Sequence, residues 1–158
     1  MLKILKIGLA TLVVLAAIAA WLFGYDEPRV QVVKANNGCP GCELSNASLW
    51  WLELIEADLR GAKLDGANLW WSDLQRADLR DASLVGANLW WADLRGAQLA
   101  GANFTGASMG RMDLRGAKGA GVSFEFADLS GANLSGGAFH GANLQRANLL
   151  QAIAQEVD

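Results

Sequence analysis

Ala57-Asp58-Leu59-Arg60-Gly61, Ala62-Lys63-Leu64-Asp65-Gly66 and Ala67-Asn68-Leu69-Trp70-Trp71 are three consecutive copies of one five-residue phrase, and that phrase decides the fold. Followed in both directions it keeps its register from Leu44 to Leu149. Every fifth residue of that stretch is Leu in 17 of 22 cases, the others being Phe104, Met109, Gly119, Phe124 and Phe139. Two places before each centre from Leu49 onward stands Ala in 16 of 21 cases. A short fixed period of this kind marks a repeat architecture in which each unit buries its apolar side against its neighbours.

A period of five fits neither regular element. On a helix of about 3.6 residues per turn the leucines drift around the axis and form no stripe. On a flat strand the Ala and Leu of one pentad share a face, but the next Ala, three places on, points the other way. The chain must therefore turn a corner once per pentad, at the two residues after each centre. The second of these is Gly in 11 of the 21 slots from 46 to 146, as a corner conformation favours. Trp50-Trp51, Trp70-Trp71 and Trp90-Trp91 recur every 20 residues, so four pentads make one lap. The expected object is a square-sectioned, all-β parallel solenoid with Leu and Ala inside. At a spacing of about 4.8 Å per lap, about five and a half coils make a rod near 26 Å long.

The runs A-D-L-R-G, A-N-L-W-W, A-D-L-R-D and A-N-F-T-G resemble the pentapeptide-repeat family, whose pattern is a small residue, a polar one, Leu or Phe, and two variable positions. The resemblance covers about two-thirds of the chain. It implies a right-handed quadrilateral β-helix, in a family most of whose members have no assigned activity. Some members mimic the shape and charge of DNA and shield topoisomerases. Cys39-Pro40-Gly41-Cys42-Glu43-Leu44 resembles the C-x-x-C-[DE]-L opening of many members, which implies a structural pair at the first coil.

The remaining segments organise around the rod. Residues 1–25 form an N-terminal membrane anchor or signal segment: Ile7 to Phe23 is a run of 17 uncharged residues, with Lys3 and Lys6 before it and Asp26 and Glu27 after. At 1.5 Å per residue a helix of that length spans about 26 Å, and Trp21 and Tyr25 stand where an interface would fall. The lysines place the N-terminus in the cytoplasm and the rod outside the inner membrane. A cleaved secretory signal ending at Ala17-Ile18-Ala19 is the alternative, and it exports the domain equally. Residues 26–38 are expected as a linker, with Pro28 as a helix stop and Val30 to Val33 as a short strand over the first coil. Residues 39–150 are the β-helix and residues 151–158 a C-terminal cap, the tail from Leu149 extending as a short helix able to pair two rods. Gly119, standing where a Leu belongs, predicts a local bulge or loop.

Chemistry-bearing residues are few. Cys39 and Cys42 suit a disulfide in an exported protein, with thiol exchange as the alternative. The single histidine, His140, lies far from both cysteines, so no four-ligand zinc site and no nucleophile-base pair can be assembled. No catalytic, cofactor or metal residue is assigned. The net charge of −3 becomes −5 when Lys3 and Lys6 are left out, with 11 basic against 16 acidic residues, which argues against sequence-independent nucleic-acid binding.

Outside the rod, Trp50, Trp51, Trp70, Trp71, Trp90 and Trp91 are expected to gather on one side of the first three coils. Soluble monomers seldom expose such a patch. It predicts an interaction face for a partner protein, the lipid interface or a cell-wall glycan. Beside it Glu53, Asp73, Asp93 and Asp113 form an acidic column that Arg95 and Arg115 are placed to neutralise. The preferred function is a non-enzymatic, single-pass membrane-anchored scaffold whose rod docks through the Trp stripe. A glycan-binding module and a cytoplasmic DNA mimic are the alternatives.

Overall fold

The computed structural model describes residues 28–158, and the membrane-directed segment lies outside the described residues. Among them, no helix is long and apolar enough to cross a membrane. They form one helix, α1, over Pro28–Asn36, followed by a continuous parallel β-helix. Bridges join each residue just before a centre to its equivalent 20 positions on, from Gly38↔Asp58 to Asn133↔Ile153. Four corners therefore close each lap.

Each corner is a four-residue turn. The amide two residues before one centre donates to the carbonyl of the previous centre, as in Ala47 N to Leu44 O at 3.0 Å and Ala67 N to Leu64 O at 3.0 Å. The third residue of the turn has φ near +60°, whether it is Gly61, Glu56, Trp71 or Arg76, as a type II turn demands. Flat segments between corners bond to the lap above and below, as in Leu69 N to Asn88 O at 2.7 Å. Side chains before and at the corner alternate, so Leu64, Leu84 and Phe104 point inward while Lys63, Ser83 and Asn103 point out. The interior is a stack of leucines and alanines with almost no solvent exposure.

Several expectations are corrected. Val30 to Val33 lie on a helix, not a strand. Pro28 opens α1, where its missing amide costs nothing, and Asn37, with φ of 49°, closes it while Gly38 N donates to Val33 O at 3.0 Å. Val30 and Val33, three apart and buried, seat α1 on the first lap, whereas Val32 faces solvent. The tail 151–158 is neither a separate cap nor a helix: Ile153 bridges Asn133, and Asp158 N bonds to Gly137 O. The ladder thus runs from Gly38 to Asp158, six laps rather than five and a half. At the far end the inward residues Leu144 and Leu149 are exposed.

No bulge occurs at Gly119. Lys118 beside it bridges both Gln98 and Ala138, and Gly119 N donates to Ala138 O at 2.7 Å. The missing side chain is supplied by the next lap. A Cβ at 119 would fall 2.7 Å from Cδ1 of Phe139, and one at Gly137 would fall 2.3 Å from its Cε2. Phe139 packs edge-on against Phe124, which stacks on Phe104 with centroids 5.5 Å apart. Two glycines and one large ring thus stand where two leucines and an alanine stand elsewhere. Gly119→Ala is expected to destabilise the rod by about 1–3 kcal/mol through overpacking, and Phe139→Leu in the same chain to recover part of the loss. Urea unfolding of the two single variants and the double variant measures the coupling.

Candidate functional site

One amide per pentad has no backbone partner, the N–H of the first corner residue, and it explains the outward polar columns. In the pentads that carry Asp or Asn two places earlier, that side chain satisfies it. Asn68 Oδ1 accepts from Trp70 N and Asn88 Oδ1 from Trp90 N, each at 3.2 Å. Asp73 Oδ1 accepts from Gln75 N and Asp93 Oδ1 from Arg95 N, each at 3.1 Å. These side-chain turns are the mechanism by which Asx residues favour corners. The sequence pattern contained them, but only the turn geometry shows which donor they serve.

Where Arg is the first corner residue, the same carboxylate also grips its guanidinium. Arg60 holds Asp58, Arg80 holds Asp78, Arg95 holds Asp93 and Arg115 holds Asp113, with Nη2 to Oδ2 distances of 2.6–2.7 Å. The side-chain hydrogen bond from Arg60 pulls the Asp58 carboxyl below its ordinary value of 3.8. The one from Arg80 does the same to Asp78 against a partial burial. At Asp113 burial pushes upward, but the Arg115 side chain and amide outweigh it and the net shift is downward. Arg95 and Arg115 thus counter half of the acidic column. Among the described residues, no Lys or Arg forms a close ion pair with its other half, Glu53 and Asp73; Asp73 accepts from Gln75 Nε2 at 3.0 Å and feels the charge of Arg95 at longer range.

The Trp pairs sit on the corner between the Asn/Ser column and this acidic column. Trp51 stacks on Trp71, with centroids 5.1 Å apart and planes at 21°. Trp70 approaches Trp51 at 6.1 Å and Trp71 at 5.9 Å, and Trp91 continues the series 6.0 Å from Trp71. Trp51, Trp70, Trp71, Trp90 and Trp91 each keep 36–46% of their surface exposed. Two residues end the stripe. A Cβ at Gly110 would fall 2.6 Å from Nε1 of Trp90, so the glycine gives that ring its room. The Arg111 guanidinium lies over Trp91, 5.4 Å from the centroid. Arg111 thus covers the last indole with a cation, a role that the five-residue pattern alone does not reveal.

Trp51, Trp71 and Trp91 hold φ values of 57–60°, in the left-handed region. A non-glycine residue there costs about 1–2 kcal/mol. Elsewhere the same slot is most often Gly. Backbone strain of this kind concentrates where a side chain is needed for its function.

The remaining chemistry-bearing residues do not converge. Cys39 and Cys42 form a disulfide beneath α1, beside a cavity of about 270 Å³ lined by Arg29, Val32, Glu43 and Leu44. His140 stands exposed on a corner near the other end. Among the described residues, no group of three or more His, Cys, Asp or Glu side chains is placed to hold a metal ion.

Comparison with known proteins agrees with this architecture. The family model described as pentapeptide repeats, in eight copies, matches residues 42–81, 82–118 and 97–136. The chain belongs to the pentapeptide-repeat family, whose members fold as right-handed β-helices. Among solved structures it is similar to the pentapeptide-repeat protein Rfr23 from the cyanobacterium Cyanothece 51142, at 28% identity over 81% of this chain and 95% of that one, with a TM-score of 0.52. It also matches trypsin-treated QnrB1, a plasmid-mediated fluoroquinolone resistance protein, at 22% identity over 75% and 67% of the two chains, with a TM-score of 0.41. No curated protein matches the chain at a significant level.

Two outcomes follow from this geometry. Trp71→Gly removes a left-handed strain of about 1–2 kcal/mol and loses ring contacts with Trp51, Trp70 and Trp91 worth about 0.5–1.5 kcal/mol each. Its unfolding midpoint in urea should fall below wild type, and that of Trp71→Val, which loses the same contacts and keeps a β-branched residue in the left-handed conformation, should fall further.

The lowered carboxyls of Asp58, Asp78 and Asp113 set the sign of the acid response. Their folded pKa values lie below the unfolded value of 3.8, so their stabilisation is complete above 3.8 and is lost as pH falls through the folded values. The triple variant Asp58→Asn, Asp78→Asn, Asp113→Asn should therefore show a smaller drop in Tm than wild type between neutral pH and about pH 2.

Proposed function

We propose that the chain is a non-enzymatic interaction or scaffold protein, carried to a membrane by residues 4–25, whose repeat rod docks on a partner through the Trp corner. One observation carries this reading. Six indoles occupy a single corner of three successive laps, and three of them stand in a backbone conformation that glycine would adopt without strain. An exposed aromatic patch on three successive laps is rare on a soluble monomer and fits a docking face. In this reading the rod lies outside the cytoplasm.

The stacking bears on the glycan alternative. A sugar ring binds an indole by lying on its face, but Trp71 has Trp51 on one side and Trp91 on the other, and Arg111 covers Trp91. The DNA-mimic alternative needs a run of unneutralised charge. Two stacked pairs of Asp, Asp58 with Asp78 and Asp93 with Asp113, are gripped by Arg from their own pentads.

The test replaces all six Trp with Ser in the full-length chain expressed in its host. Affinity capture after cross-linking should recover partners with wild type and lose them with the variant, while circular dichroism stays unchanged. Equal recovery by a folded variant would sink the proposal. Reporter fusions at both ends check the topology: an active periplasmic reporter at the C-terminus supports export, and an inactive one removes it.

A further inference from the structure

We infer that the open end of the sixth lap binds a second copy of this chain, the two rods joining tail to tail about a two-fold axis through the Leu150–Gln151 corner. The inference rests on different residues from the docking role proposed for the Trp corner and goes beyond it.

The two ends of the rod are finished differently. At the first lap α1 lies across the stack, with Val30 and Val33 buried beneath it. At the sixth lap Leu144 and Leu149, inward leucines like those buried elsewhere, are 40% and 43% exposed, and Leu150 on the adjoining corner is 69% exposed. The ladder is open there too. One lap earlier Leu129 N donates to Asn148 O at 2.8 Å and Asn148 N to Ala127 O at 2.9 Å. Among the described residues the equivalent groups of the sixth lap, the Leu149 amide and the Ala147 carbonyl, have no backbone partner, and neither does the Ala152 carbonyl. Natural sheet edges are blunted by charge, proline or a covering element. From Ala142 to Ala154 this edge has Arg146 as its one charge and no proline.

Self-complementarity selects the occupant. The Ala147 carbonyl and the Leu149 amide flank Asn148, and an antiparallel neighbour completes such a pair. A two-fold axis perpendicular to the rod, between residues 150 and 151, lays segment 147–149 of one copy against segment 152–154 of the other in opposite directions. The Leu149 amide then meets the Ala152 carbonyl of the second copy, the Ala147 carbonyl meets its Ala154 amide, and the axis repeats both bonds. That corner is the midpoint of the last lap, so the rise of one coil is matched by the fall of the other. The two Leu stacks become continuous, and Leu150 meets its own symmetry mate. At both flanks the Gln145–Arg146 corner of one copy faces the Gln155–Glu156 corner of the other, with opposite charge. Leu144, Leu149, Leu150, Ile153 and Val157, at 39–69% exposure, offer on the order of 400 Å² per copy, and with the rim two copies reach the roughly 1,000 Å² expected of a specific interface. Head-to-tail growth is blocked, because α1 occupies the end on which a sixth lap would have to stack, and a closed two-fold pair is what remains. The same axis places the Trp corners of both copies on one edge of the pair, since residues 150 and 151 continue that corner.

The test uses the full chain in dodecylmaltoside micelles, followed by native mass spectrometry and by cysteine cross-linking. Wild type should be dimeric at micromolar concentration. Cys39 and Cys42 being paired, an introduced thiol is the only free one. Leu150→Cys should cross-link to its own copy under mild oxidation, and Ser130→Cys, one lap back on the same corner, should not. Leu150→Asp and Leu150→Lys each set like charges at the axis and should each weaken the dimer by at least about tenfold, whereas the two mixed in equal amounts should form a mixed dimer close to wild-type strength. That recovery separates the interface from a fault in folding. Monomeric wild type, equal cross-linking at 130 and 150, or a mixture that fails to recover overturns the inference. So do dimers that both charged variants leave unchanged, because association would then run through another part of the chain. Cross-linking of Leu150→Cys in the host to an unlike protein, with none to itself, would give this end to a different partner and overturn it as well. All of these outcomes leave the Trp corner untouched, and loss of the docking reading leaves the dimer standing.

Discussion

The structure depends on one backbone constraint: after every inward Leu the chain must enter a turn whose third residue has positive φ. From that corner the rest follows. It limits each flat segment to three residues, so no segment is long enough to act as an ordinary strand, and the ladder survives only because the same short segment recurs 20 residues later. It also leaves one amide per pentad outside the ladder. A buried or semi-buried donor without a partner costs about 1–3 kcal/mol, and where an Asx stands two places earlier it removes that cost. The small-polar-Leu pattern is therefore a joint solution: small residue and Leu for the interior, polar residue for the orphan amide, Gly or a strained substitute for the corner.

This division explains what the sequence disclosed and what it did not. The period of five and the 20-residue Trp spacing follow from repetition, which needs no knowledge of tertiary contacts, and so the lap size and the placement of the six indoles were legible. The terminal elements were not, because their conformation is set by what they cover. Val30-Gln31-Val32-Val33 is β-rich by propensity, but the first lap offers a flat apolar end on which two residues three apart can sit, and tertiary burial overrode propensity. At the other end Gln151-Ala152-Ile153 departs from the consensus side chains and still extends the ladder, since backbone pairing with Asn133 requires only the correct register. Gly119 misled for a related reason. A position-by-position reading treats a missing Leu as a defect, whereas packing counts volume over two laps, and Phe139 restores it.

The surface polarity obeys the same logic. Asp58, Asp78, Asp93 and Asp113 look like a charged array in the sequence, but each serves first as a corner acceptor and then as an anchor for the Arg that follows it. Exposed pairs of this kind contribute little to stability individually. Their larger effect is to neutralise two separate columns, Asp58 over Asp78 and Asp93 over Asp113, where like charges directly opposite one another would repel. Pentads that lack the Arg therefore stand out, and Glu53 and Asp73 are two of them.

Along the solenoid every lap is convex and its interior is filled. Specificity must then come from side chains displayed on a rigid external lattice. Corner positions suit that purpose best, because their side chains project away from both adjoining faces and recur in register. The lattice also sets a condition on what occupies them. At the spacing of successive laps, large side chains in one corner column must touch, so aromatic residues there form a ladder whether or not a ligand is present. Such a ladder is held in place before any partner arrives, which spares binding the entropy of ordering six large side chains. The left-handed corners that carry three of those rings are a local cost fixed at folding. Preorganisation on this rigid frame is what that cost sustains.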